Sequence, residues 1–148
     1  MSFHLKAGKK NQEILDKVKN LGRDAKLGID KGFEELGANL VRTAENQALN
    51  EPKFGREYKL KINGVKKLHR ASKAGQSPAI LSGNYFEQFK YENRGMELEF
   101  GNDAEYSQYL EDGTENMEPR QGVMNAVSSN VRNARLYLEE NIGKSLEL

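Results

Sequence analysis

A single long stripe of apolar residues dominates the first third of this 148-residue chain. From Asn11 onward these residues return at steps of three and four, the spacing that keeps side chains on one face of a helix. We therefore predict a long amphipathic helix that ends before Pro52. Glycines interrupt the stripe, and each costs up to about 1 kcal/mol relative to alanine, so we expect a bend or break between residues 22 and 32, or close packing there. The apolar positions are Ile14, Val18, Leu21, Ala25, Ile29, Phe33, Leu36, Leu40, Ala44 and Ala48.

Three segments outside this helix alternate apolar and polar residues, as half-buried strands do. Residues 3–7 predict a short strand at the start of the chain. Residues 86–92 and 96–100 flank an Asn-Arg-Gly turn and predict a hairpin. One face of this hairpin is apolar and the other is strongly acidic, with Glu97 and Glu99 on the acidic face.

Two further helices are predicted in the C-terminal third. Asn102 or Asp103 can cap a short helix that Gly113 ends. From about Gln121 an amphipathic helix closes the chain. We therefore predict one α+β domain over residues 1–148, in which the long N-terminal helix and the C-terminal helix pack on a small antiparallel sheet. The short helix carries Tyr106, Tyr109 and Leu110, and the stripe of the closing helix is Val123, Val127, Val131, Ala134, Leu138 and Ile142.

Charge is divided unevenly along the chain, although its formal net charge is only +1. Residues 1–74 carry 17 Lys and Arg against 9 Asp and Glu, whereas residues 75–148 carry 6 against 13. Opposite patches on one small chain favour association between copies. Positive charge is densest at residues 53–73, which we call the basic arm. Its cations are Lys53, Arg56, Lys59, Lys61, Lys66, Lys67, Arg70 and Lys73.

The basic arm contains the strongest two-residue hairpin signal, Asn-Gly, at residues 63–64. A turn there places Lys61 opposite Lys66, so that like charges meet across the strands. The apolar face also stops, because Leu60 then lies opposite Lys67. We therefore predict a protruding hairpin that is mobile in the free protein.

The sequence contains no pattern typical of catalysis or of a cofactor site. Without cysteine the chain has no disulfide, thiolate zinc site or cysteine nucleophile. The two histidines, His4 and His69, have no acidic residue at ligand spacing. Ser82 lies outside a nucleophile elbow, and Glu111 and Asp112 are neighbours that do not face each other on a helix. We therefore expect no enzymatic activity, no cofactor and no metal.

Membrane insertion and secretion are not indicated, because no apolar run approaches the roughly 18 residues of a membrane-spanning helix. Nucleic-acid binding is the alternative that the basic arm leaves open, since its cations could neutralise phosphates. The sequence pI of ≈ 7.9 argues against it, as does the acidic second half of the chain. The arm residues that would carry such binding are Lys59, Lys61, Lys66, Lys67 and Arg70.

Residues 82–126 contain short motifs that resemble a known family. A Ser-Gly-Asn-Tyr turn at 82–85 precedes Tyr-Ser-Gln-Tyr-Leu-Glu-Asp-Gly-Thr at 106–114, where the family has Tyr-Ala-x-x-Val-Glu-Phe/Tyr-Gly-Thr. Asp112 stands where the family has the aromatic residue before Gly-Thr. The family pattern continues with Met-x-x-Arg-Pro-Phe, and Gln-Gly at 121–122 stands in place of that Pro-Phe. The family is the HK97 gp10-like neck and tail-completion proteins of tailed bacteriophages. The matching residues are Ser82, Gly83, Glu111, Gly113, Thr114, Met117, Arg120 and Ala126.

The resemblance implies a structural subunit of the virion, made in the host cytoplasm, that forms a ring between the head connector and the tail. Its expected partners are copies of itself, the head-connector proteins and the tail-tube or terminator proteins. In this setting the basic arm, which the family pattern lacks, is expected to meet the Glu97 and Glu99 face of an adjacent subunit. DNA passing through the lumen is its alternative partner.

Overall fold

A computed structural model describes residues 9–81 and 83–147. The strand predicted at residues 3–7 lies outside these ranges. The described residues form three helices and two separate two-stranded antiparallel sheets, which confirms the predicted α+β class. Within them, no helix is both long and apolar enough to cross a bilayer. In chain order the elements are α1 Lys9–Asn50, β1 Glu57–Ile62, β2 Val65–Arg70, β3 Phe89–Asn93, β4 Leu98–Asn102, α2 Ser107–Asp112 and α3 Gly122–Ser145.

The predicted N-terminal helix is confirmed as α1, and the predicted break is wrong because the helix runs without interruption through its glycines. Close packing against α3 explains at least one of these glycines, Gly28. A Cβ added to Gly28 would lie 2.6 Å from the Cα of Ile142 in α3. Loss of helix propensity at Gly28 is therefore offset by close backbone contact between two helices.

The face that α3 turns toward α1 includes most of the predicted stripe, since Ile142 and Leu138 lie against Gly28 and Gly32 of α1. Val131 is the exception, because it is 63% exposed. Asn130 is buried and its amide donates to Thr43 Oγ1 at 3.0 Å. Asn141 is also buried and donates to Glu35 Oε2 at 2.9 Å. Polar side chains thus join the stripe in the contact. The buried positions of α3 are Gly122, Ala126, Asn130 and Asn141.

The predicted second hairpin exists, but both of its strands begin later than expected. A short 3-10 turn occupies Phe86–Gln88, so β3 starts at Phe89. Asn93 pairs with Leu98, and the four intervening residues form the loop. Met96 is therefore in the loop and 62% exposed rather than in the core. The core cluster lies beneath this sheet and consists of Ala44, Tyr85, Phe89, Ala104 and Ala126.

Gly113 ends α2 as predicted, with a φ of 78° that favours glycine. The predicted caps are wrong, because Tyr106 occupies the position before the helix. The Asn102 side chain instead accepts the N–H of Ala104 at 3.0 Å and donates to the carbonyl of Tyr85 at 2.6 Å. Asn102 therefore fixes the loop before α2 rather than the helix itself.

Candidate functional site

The basic arm is a two-stranded hairpin with the predicted register, in which Lys61 lies opposite Lys66. Asn63 and Gly64 form the turn, with φ of 50° and 82°. Because residues alternate between faces, directly paired residues share a face. One face of the hairpin is therefore mostly cationic, with Glu57 and Leu68 on it beside the basic residues Lys59, Lys61, Lys66 and Arg70.

The structure modifies the charge expected on the arm in two ways. Arg70 forms an ion pair with Glu57, which lies directly opposite it near the root of the hairpin. Lys67 lies on the other face, opposite Leu60. The exposed positive charge is therefore concentrated toward the tip, with Lys59, Lys61 and Lys66 on one face and Lys67 on the other.

The root of the arm is fixed to the body of the protein. Gly55 donates its N–H to the carbonyl of Ala71 at 2.9 Å, and a Cβ on Gly55 would lie 2.6 Å from that oxygen. The Gln76 side chain accepts from the N–H of Phe54 at 3.0 Å. Arg120 Nε donates to the carbonyl of Ser72 at 3.0 Å. The hairpin thus protrudes from a rigid base.

The less polar face of the arm borders a groove of about 820 Å³. Tyr58 and His69, which pair across the strands, line its outer wall. The Arg56 guanidinium lies 5.6 Å from the centroid of the Tyr58 ring, within the range of a cation–π contact. His69 is half-buried here. The inner wall is formed mainly by residues Pro78, Ile80, Leu81, Tyr106, Leu110 and Met117.

The acidic face of the second hairpin is less negative than its sequence indicates. Arg94 donates to Glu92 at 2.8 Å and lies 2.9 Å from Glu99. This hydrogen bond and charge hold the pKa of the Glu92 carboxyl below its usual range. Lys90 pairs with Asp103 nearby. Glu97 and Glu99 lie together as predicted, but Arg94 partly neutralises their surface.

The motif residue Glu111 joins α2 to the start of α3. Its carboxylate accepts the N–H of Val123 at 2.6 Å and that of Met124 at 3.4 Å. A negative charge is stabilised at a helix N-terminus, where N–H groups have no partner within the helix. The Tyr85 hydroxyl also donates to Glu111, at 3.2 Å. Glu111 is therefore a remote cap of α3, a role that its neighbours in the sequence do not reveal.

The other motif residues surround this junction. Thr114 and Met117 exchange backbone hydrogen bonds of 2.7 and 3.1 Å, which closes a tight turn after Gly113. Arg120 donates its backbone N–H to the carbonyl of Leu110 at 2.6 Å, while its side chain reaches the root of the arm. Gly83 has a φ of +84° in the preceding turn, and Ser82 lies outside the described residues.

The sequence motifs include Tyr85 and Gly122 but do not indicate that the two residues meet in this junction. Tyr85 is buried, and its ring packs edge-on against Phe89 at 5.1 Å. Burial, reinforced by the nearby Glu111 carboxylate, raises the pKa of Tyr85 well above its usual range. A Cβ on Gly122 would collide with the Tyr85 hydroxyl. Glycine at position 122, where the resembling family has phenylalanine, thus leaves space for the Tyr85–Glu111 contact.

Replacing Glu111 by alanine is expected to lower the free energy of unfolding by about 1–3 kcal/mol, because the first N–H groups of α3 and the Tyr85 hydroxyl lose their acceptor. Glu111→Gln keeps an acceptor oxygen and should cost less. Asp112→Ala is the matched control, since Asp112 is exposed, and should change stability by less than about 0.5 kcal/mol. Urea unfolding of the three variants checks this. Equal effects of Glu111→Ala and Asp112→Ala would contradict the capping role.

Comparison of the chain with protein-family models, with curated proteins and with solved structures gives no significant match. Among residues 9–81 and 83–147, no group of three His, Asp or Glu side chains is placed to hold a metal ion. The site is thus defined by surfaces: a cationic hairpin, an acidic hairpin and the Glu111–Arg120 junction between them.

Proposed function

We propose that this chain is a non-enzymatic structural subunit of a tailed-bacteriophage neck or tail-completion ring, which joins the tail to the head connector. The observation that carries the proposal is the junction built from the motif residues, which holds the root of the protruding basic arm. Arg120 makes this link directly, because it bonds both to Leu110 beside the motif turn and to Ser72 at the root. The motif therefore supports an element that projects away from the body.

A ring requires head-to-tail contacts, in which one surface of each subunit meets a different surface of its neighbour. The arm and the acidic hairpin are two such surfaces, and they lie on separate sheets. Contacts of this kind need no cofactor. The further partners in this proposal are the head-connector and tail-tube or terminator proteins.

The arm is proposed to bind an anionic surface on an adjacent subunit, with DNA in the lumen as the other candidate. Lys59, Lys61 and Lys66 would carry either contact. Because Arg94 partly neutralises Glu99, the contact with the acidic hairpin depends most on Glu97.

The purified chain is expected to be monomeric or weakly associated at micromolar concentration. The arm and the acidic hairpin are charged surfaces, and charged contacts contribute only about 0–1 kcal/mol per ion pair. A stable closed ring of subunits would need large apolar interfaces instead. Light scattering measures this directly. A stable ring in the absence of other virion proteins would contradict the expectation.

Deleting the gene from the phage that encodes it tests the proposed function. Electron microscopy should then show heads and tails that fail to join, or tails with an unfinished upper end. Supplying the chain from a plasmid is the control and should restore joined particles. Normal infectious particles without the protein would overturn the proposal.

Nucleic-acid binding is a second candidate, favoured by the register that places Lys59, Lys61 and Lys66 on one exposed face. A gel-shift titration at rising salt distinguishes it from assembly. Neutralisation of phosphates requires affinity to fall steeply with salt. Binding that is absent at low salt, or unchanged when these lysines are replaced by glutamine, would exclude this second candidate.

A further inference from the structure

The beginning of α1 extends well beyond the other elements of residues 9–81 and 83–147. Gly28 lies against Ile142, close to the C-terminal end of α3, and every residue from 12 to 23 is exposed. We call residues 12–23 the helix extension. Ile14, Val18 and Leu21 are 53%, 59% and 56% exposed, respectively. Their spacing places them on one face of the helix, so the extension presents an apolar stripe to solvent.

Charged residues border this stripe, which also includes Leu15, 47% exposed. At 100° per residue, Lys19 falls on one side of the stripe, and Lys26 continues that side about two turns further along. Lys17 falls on the other side, together with Glu13 and Asp24. The helix extension is thus an apolar ridge with one cationic edge, which fits an apolar groove with an acidic rim.

A groove of this chemistry exists on the same protein, between α1 and the free side of β4. Its volume is about 710 Å³. Glu97 and Glu99 lie on its rim, together with Arg94. Met96, at its mouth, is 62% exposed. The apolar lining consists of Phe33, Leu36, Leu40, Met96, Leu98, Phe100 and Val127.

The helix extension cannot enter the groove of its own chain. Phe33 and Leu40 line the groove and belong to the same uninterrupted helix as Ile14. At 1.5 Å per residue, Ile14 lies about 28 Å along the axis from Phe33. Only the extension of another copy can reach the groove.

We propose that the helix extension of one subunit docks into the β4 groove of the next subunit. The two surfaces are different, so the contact is head-to-tail and leaves one free extension and one free groove at the ends of any open chain of subunits. This inference rests on the proposed function, because it supplies the contact from which a ring would be built. Lys19 would then lie near Glu97 of the neighbour.

Cysteine cross-linking tests the contact without competing disulfides from other thiols of the chain, because its sequence contains no cysteine. Val18→Cys and Met96→Cys are both at exposed positions and should leave the fold intact. Mixing the two single variants under mild oxidation should give a mixed disulfide dimer. Its formation should be roughly tenfold faster than random collision, because docking raises the effective concentration of the two thiols.

The double variant Val18→Cys/Met96→Cys should form a ladder of dimers, trimers and larger species, since each copy carries both surfaces. Val131→Cys is the matched control, as Val131 is equally exposed on α3, and its mixture with Met96→Cys should cross-link only at the rate of random collision. A mixed-dimer rate no faster than this control would overturn the proposal. So would rapid dimerisation of Val18→Cys alone, which would indicate that two extensions pair with each other.

Failure of this contact would not by itself disprove the proposed function. If heads and tails fail to join without the protein but the cross-link rate equals that of the control, the chain is an assembly subunit that uses another interface. If the cross-link forms but particles without the protein are normal, the docking contact stands and the proposed function is wrong.

Discussion

Reversing Lys59, Lys61, Lys66 and Lys67 together to glutamate is expected to prevent heads and tails from joining while leaving the purified protein folded. All four side chains are exposed on the hairpin, so they contribute little to the stability of the chain itself. Reversal turns an attraction for an anionic partner into a repulsion at several positions at once. A single Lys→Ala change should have little effect, because an exposed ion pair is worth only about 0–1 kcal/mol.

The matched control replaces the same four lysines by arginine, which keeps the charge and should support normal assembly. Plaque counts and electron microscopy measure assembly, and circular dichroism of the purified variant checks its fold. A viable phage carrying all four reversals would show that the arm is only a solvated loop.

Adding a methyl group at two glycines of α1 is expected to change stability in opposite directions. Gly28→Ala should lower the free energy of unfolding by about 1–3 kcal/mol, the usual cost of overpacking. The new Cβ would lie 2.6 Å from the backbone of Ile142, which cannot move without displacing α3. Gly22→Ala should instead raise the free energy of unfolding by up to about 1 kcal/mol, the gain in helix propensity. No steric cost opposes this gain, because a Cβ on Gly22 meets open space.

Thermal unfolding of the two variants measures the contrast, since each kcal/mol shifts the midpoint by about 2–4 °C in a chain of this size. The pair is well matched because both glycines lie in the same helix and receive the same methyl group. Stabilisation by Gly28→Ala would mean that α1 and α3 do not approach as closely as described.

Features determined by nearby residues were predictable from the sequence. The period of the apolar stripe predicts α1, and the Asn-Gly turn predicts the arm, including the pairing of Lys61 with Lys66. Gly113 predicts the end of α2. In each of these cases a short stretch of chain contains the whole physical cause, whether helical spacing or a turn that needs positive φ.

Features determined by distant residues were not predictable in this way. Glu111 caps a helix that begins eleven residues later in the chain, and nothing beside it in the sequence indicates that role. Asn130 is polar but buried, because Thr43 and Asn39 on α1 satisfy its amide. Val131 was wrongly placed on the buried face of α3 for the same reason, since only contact with α1 decides that Asn130 is buried and Val131 exposed.

The strength of the acidic face was also overestimated. Counting carboxylates along residues 86–100 gives each one its full charge, whereas Arg94 lies between Glu92 and Glu99 in space. The sequence places Arg94 in a turn and does not show that its side chain folds back over the strands. Proposals that depend on this face therefore rest most on Glu97.

The most direct measurement of the central claim is the position of the protein in mature particles. Purified tailed particles would be labelled with a gold-conjugated antibody to this chain and imaged by electron microscopy, with particles grown without the gene as the control for background. We expect label at the junction of head and tail and nowhere else. Label on the capsid shell or at the tail tip, or no label above background on joined particles, would contradict the claim.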